Sequence, residues 1–155
     1  RRAYLVIIIK MISDLLKASA FTHKLKSERS MLRAGWDVNE QPVIGIVSQP
    51  IDYAFINDPR FEGYSTYIMA AYVEFLQGSG ARVVPLISTE DWTVTQEKIN
   101  KLDGILFPGG DSDYLEYGRK IYEEVKLIND AGHFYPLWGT CQGFEYLAIW
   151  ASDEG

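Results

Sequence analysis

The sequence predicts an α/β protein built on a doubly wound, mostly parallel sheet. From Pro42 onward, short apolar runs alternate with stretches of helical periodicity, and no segment repeats another. Two of the apolar runs end in tight glycine turns, Pro108-Gly109-Gly110 and Gly139-Thr140-Cys141-Gln142-Gly143. Strand–helix–strand alternation implies parallel strands joined by right-handed crossovers, with helices on both faces of the sheet. Ligands in such sheets bind beyond the carboxyl ends of the strands, where both glycine turns fall.

Each element has its own justification. Val43 to Val47 is a short apolar strand bounded by Pro42 and Pro50, and Ile51 to Gly63, rich in Asp, Asn, Pro and Gly, reads as a loop. A helix is predicted over Tyr64 to Gln77, because Ile68, Ala71, Tyr72 and Phe75 fall on one stripe and Gly78 and Gly80 stop it. Arg82 to Ile87 is the second strand. Thr93 and Gln96 are spaced as a capping box for a helix reaching Leu102. Gly104 to Phe107 is the third strand. A helix over about Leu115 to Ala131 follows, with Ile121, Val125 and Ile128 facing inward. Phe134 to Trp138 is the fourth strand and leads through the cysteine turn into a last helix.

Residues 1–41 read as a separate N-terminal extension, and 42–155 as the domain. Arg1-Arg2 followed by the apolar run Tyr4 to Ile9 resembles a secretory signal, with Ala18-Ser19-Ala20 as a small-residue cleavage site; Lys10 and Asp14 count against it. The run is too short for a bilayer-spanning helix, which needs about 20 apolar residues. His23 to Gln41 is polar, mixed in charge and linker-like.

An apolar fraction of 47% is that of a globular chain, and a net charge of −6 without a basic strip carries no nucleic-acid footprint. One cysteine excludes an intrachain disulfide, and two scattered histidines make no zinc cluster. Asp111 and Asp113 read as a solvated turn with a helix cap rather than a metal pair. No cofactor is indicated.

That single cysteine, Cys141, sits at a strand-to-helix turn, where its sulfur would stand above the sheet near the positive end of a helix, as a thiolate nucleophile requires. Gly139 and Gly143 remove Cβ atoms where strand and helix crowd together. The competing reading is a lone buried cysteine acting as a small hydrophobe. An acyl-transfer site also needs two donors for an oxyanion. The backbone N–H groups of Gln142 and of the loop at Gly109-Gly110 are placed to supply them.

These segments resemble the class I glutamine amidotransferase-like, flavodoxin-like sandwich fold, and within it the γ-glutamyl hydrolases. The resemblance runs from about Pro42 to Trp150. It rests on Tyr67-Ile68-Met69-Ala70-Ala71-Tyr72-Val73, Gly80-Ala81-Arg82-Val83-Val84-Pro85, Phe107-Pro108-Gly109-Gly110 and Trp138-Gly139-Thr140-Cys141-Gln142-Gly143-Phe144-Glu145. It implies that Cys141 attacks a γ-glutamyl amide to form a thioester that water hydrolyses, with Gly110 and Gln142 as oxyanion donors and Glu145, Gly109 and Tyr67 toward the substrate. Folate poly-γ-glutamates are the implied substrate, in a lysosome, vacuole or secreted pool. The oligomeric state stays open, a homodimer included. Glu145, four residues after the nucleophile, is the residue of the hydrolases; true glutamine amidotransferases carry Gln there.

In the family, a histidine with a carboxylate orienter lies well downstream of the nucleophile, and neither His23 nor His133 matches it. The resemblance therefore implies the N-terminal portion of a hydrolase, cut after the nucleophile turn and barely active alone, with Trp138, Leu147 and Trp150 at risk of losing cover. A glutaminase domain serving a synthase and a non-catalytic binding module are the alternatives.

Overall fold

The computed structural model describes residues 39–51 and 55–152. The chain divides into two compact units, residues 1–39 and 40–155. The sheet and the cysteine turn lie in the second; the expected targeting segment lies outside the described residues.

Four strands form the main sheet: β1 (Val43–Val47), β4 (Arg82–Leu86), β5 (Gly104–Phe107) and β6 (Leu137–Gly139), in the order β4-β1-β5-β6 and parallel throughout. The chain leaves β1 for β4 on one side, then returns past β1 to β5 on the other. Right-handed crossovers that run in opposite directions along a sheet put their helices on opposite faces. Helix α1 (Ala70–Gly78) follows β1, while α2 (Trp92–Ile99), α3 (Leu115–Asp130) and α4 (Gln142–Ser152) come after the reversal. The doubly wound α/β fold expected from the sequence is the fold observed.

Strand alternation separates two buried layers. Val47, Leu86, Ile105 and Phe107 join Ile121 and Val125 of α3 and Trp150 of α4 in one apolar cluster. Ile46 and Leu106 are just as buried but lie outside that cluster. Pro85 sits in β4, an edge strand, where a missing N–H is tolerated. Among the described residues no helix is long and apolar enough to cross a membrane.

Three local expectations are corrected. The helix predicted from Tyr64 begins only at Ala70, because Thr66–Tyr67 forms a strand, β3, paired antiparallel with β2 (Gln49–Pro50). Its inner face is also different: Phe75 and Ala71 are exposed, and Tyr72, Val73 and Leu76 are partly covered. Helix α2 is capped by Asp91, which accepts from the Thr93 N–H at 2.8 Å, so Thr93 is a first-turn residue rather than the cap. It ends at Ile99. The last strand begins at Leu137, leaving Phe134 90% exposed in the preceding turn.

Candidate active site

Strand order reverses between β1 and β5, so the crevice beyond their carboxyl ends is the natural binding position of this sheet. Gln49 lies just past β1, the loop Pro108-Gly109-Gly110 just past β5, and Cys141 just past the neighbouring β6.

The cysteine turn is folded as its glycine spacing demands. Thr140 ties to the end of β5 by donating its N–H to the Phe107 carbonyl at 3.1 Å. Cys141 then takes φ +51°, the only non-glycine positive φ among the described residues. Such a conformation costs an L-residue about 1–3 kcal/mol and persists where the surroundings impose it. Here they do. A Cβ on Gly139 would stand 2.6 Å from the Gly143 carbonyl carbon, and one on Gly143 would stand 2.7 Å from that of Phe107. Strand and helix therefore meet backbone to backbone, and the turn between them must be sharp. Cys141 is exposed, which removes the reading of a buried structural cysteine.

Gln142 is the first residue of α4. Its N–H has no carbonyl partner within the helix and belongs to the positive helix terminus beside the thiol. Glu145 sits one turn on, exposed, with its N–H donated to the Cys141 carbonyl at 3.0 Å. Asp113 accepts from the Leu115 N–H at 3.0 Å and so serves the start of α3, as the turn reading expected.

The glycine loop is held from several sides. A Cβ on Gly109 would lie 2.8 Å from the Cys141 Cβ, which puts loop and nucleophile in direct contact. The Gly109 N–H donates to the Tyr72 hydroxyl at 2.8 Å. The Tyr114 hydroxyl donates to the Pro108 carbonyl at 2.6 Å, and burial pushes its pKa upward, so it stays a neutral donor. The Gln142 side-chain amide donates to the Ser112 carbonyl at 3.0 Å.

Tyr67 is displaced from its expected position on a helix. It lies on β3 in register with Gln49, its ring edge-on to Phe55 at 5.0 Å. Tyr72, not singled out as a site residue, is the tyrosine that touches the glycine loop, and Gln49 was missed altogether. The available signal for Gln49 was a polar residue directly after an apolar strand. His133 is exposed in the turn preceding β6, at the opposite end of that strand from Cys141.

Around the cysteine turn an apolar strip is open. Trp138 is 61% and Phe144 59% exposed, lining a groove with Leu137, Leu147 and Ala148 along the outer edge of β6. Trp150, by contrast, is buried core.

Comparison with known proteins agrees with this arrangement. Residues 42–152, which hold both glycine turns and every strand among the described residues, match the Peptidase C26 family. Gamma-glutamyl hydrolase 1 of Arabidopsis thaliana is 42% identical over 124 residues, covering 76% of this chain and 34% of that protein. Gamma-glutamyl hydrolase B of Dictyostelium discoideum is 37% identical over 71% of this chain and 32% of its own length. The Homo sapiens gamma-glutamyl hydrolase is 37% identical over 76% of this chain and 37% of its own. The chain thus spans about a third of the length of these relatives. With an exposed cysteine on a strained turn against a braced glycine loop, and a family match spanning the whole sheet, the chain belongs to the Peptidase C26 family.

Proposed function

We propose that this chain carries the nucleophile half of a cysteine γ-glutamyl hydrolase. The observation that carries the reading is Cys141: exposed, at φ +51°, heading a helix and touching the glycine loop. Its sulfur attacks the γ-carbonyl of a glutamyl amide, forming a C–S bond and a tetrahedral oxyanion. Because Tyr72 already engages the Gly109 N–H, the loop's donor to the oxyanion is Gly110, with Gln142 as the second. Collapse breaks the C–N bond and the amine departs with a proton. Water then hydrolyses the thioester, returning the thiol and releasing a glutamyl acid.

Glu145, exposed one turn beyond Cys141, pairs with the α-ammonium of the glutamyl group. Gly109 lets the substrate pass close to the loop, and Tyr67 lies at its rim. The base that takes the thiol proton is supplied by the part of the protein that corresponds to the remaining length of the relatives. Trp138 and Phe144 stand exposed beside the cysteine turn, and without that base the present chain turns over little. Folate poly-γ-glutamates are the substrate class, met in a lysosomal, vacuolar or extracellular setting.

The test is glutamate release by the complete natural polypeptide from a poly-γ-glutamyl folate, with an α-linked polyglutamate alongside. Cleavage confined to the γ-linked substrate is expected. Cleavage of both linkages, or of neither, contradicts the reading.

A further inference from the structure

Among the described residues, Gln49 is the one at the switch point whose side chain is polar, wholly buried and incompletely paired. It has no exposed surface, and its Oε1 lacks a hydrogen-bond partner. Ser48, its equally buried neighbour, is satisfied by the Ser88 N–H at 2.9 Å. A purely structural filler at position 49 would be apolar, since an unpaired buried carbonyl opposes folding.

The surroundings of the carboxamide say what it does instead. Its Nε2 is the atom nearest to where a Cβ on Gly110 would stand, with Cδ 3.1 Å and Oε1 3.2 Å from that point, so the nitrogen edge of the amide packs directly against that residue. The same Nε2 is 3.5 Å from Gln142 Oε1, at the long limit of a hydrogen bond. Gln142 is oriented in turn, because its Nε2 donates to the Ser112 carbonyl and to the Tyr146 hydroxyl, each at 3.0 Å. One pair of side-chain amides therefore spans the two backbone segments that carry the oxyanion donors.

We propose that Gln49 is a positioning residue: with Gln142 it fixes the direction of the Gly110 N–H relative to the Cys141 thiol. The proposal rests on the hydrolase reading above, and deepens it. Misplacing a reacting group by about 1 Å costs on the order of 10²-fold in rate, so loosening this clamp falls on the chemical step. The thiol, held by its own turn, is left as it was.

Gln49→Met keeps length and volume while removing both polar atoms. In the complete natural polypeptide it is expected to lower kcat on a γ-glutamyl anilide by about 10–100-fold, with KM changed less than about threefold. Alkylation of Cys141 by iodoacetamide stays within about twofold, and amide exchange of residues 109–112 becomes faster. Gln49→Met combined with Gln142→Met loses no more than the worse single variant, as members of one unit do. Unchanged kcat together with unchanged loop exchange would overturn the proposal. So would a parallel loss of alkylation, which would place the damage in the cysteine turn. Should Gln49→Met fail to fold, Gln142→Met carries the same three readouts. A wild-type protein inert toward γ-glutamyl bonds would remove the hydrolase reading, while loop exchange in the variants would still decide the role of Gln49.

Discussion

Tyr72 accepts the backbone N–H of Gly109 at 2.8 Å, joining α1 to the loop that faces the nucleophile across 37 residues of sequence. The bond ties the loop to α1 and leaves the Gly109 N–H already paired. Tyr72→Phe leaves a buried N–H unpaired, which costs about 1–3 kcal/mol. The expected result is a lower urea midpoint at unchanged slope and a rate reduced about tenfold in the complete protein. Identical midpoint and rate would show the bond to be incidental.

Gly118 and Trp150 compete for space. In the middle of α3, replacing glycine by alanine ordinarily stabilises a helix by about 0.5–1 kcal/mol. Here the new Cβ would lie 2.9 Å from Trp150 Cζ2, inside a ring held by Phe107, Tyr122 and Tyr146. Overpacking at about 1–3 kcal/mol outweighs the helix gain, so Gly118→Ala is expected to destabilise. Denaturant unfolding decides the sign.

Glu145→Gln removes a charge without changing shape. If the carboxylate holds the α-ammonium, kcat/KM falls about 10–100-fold, the worth of a charged hydrogen bond, while iodoacetamide labelling of Cys141 is unaffected. A substrate lacking the α-amino group should not distinguish variant from wild type. Equal losses on both substrates would move Glu145 from recognition to helix stability.

Local periodicity made the parallel strands and the long helix legible, because Ile121 and Val125 fill one stripe and β5 is apolar throughout. The cysteine turn was legible for a steric reason: two glycines flanking Cys141 encode a backbone contact that no other residue permits. Tyr64 to Tyr67 looked helical because its partner strand, Gln49–Pro50, lies well upstream and leaves no local trace. The same distance hid the loop braces, since Gln49 and Gln142 meet across 93 residues. Trp138, named with Leu147 and Trp150 as at risk of losing cover, is exposed on the β6 edge, whereas Trp150 is buried, a difference that periodicity does not report.

Alkaline pH should weaken the fold in a defined window. Burial, reinforced by the nearby Glu90 carboxylate and opposed by the Thr95 hydrogen bond, pushes Tyr117 up to about 12. Burial likewise raises Tyr135. A folded pKa above the unfolded value of about 10 means that the stabilisation is complete below pH 10 and lost as pH rises through 12. Tyr117→Phe forfeits the 2.9 Å bond to Thr95, about 1 kcal/mol, and has no phenol to ionise. Its deficit against wild type should therefore shrink between pH 10 and 12 in urea midpoints. A constant deficit would contradict the assignment.

On the proposed reading, Cys141 receives the γ-glutamyl carbonyl. It is tested most directly by exposing the complete protein to a γ-glutamyl diazoketone, which alkylates a thiol held against the carbonyl, and mapping the adduct by mass. A single adduct on the peptide containing Cys141, blocked by a γ-glutamyl substrate, is expected, with no hydrolysis by Cys141→Ala. An adduct elsewhere, or a Cys141→Ala protein that retains the wild-type rate, would contradict it.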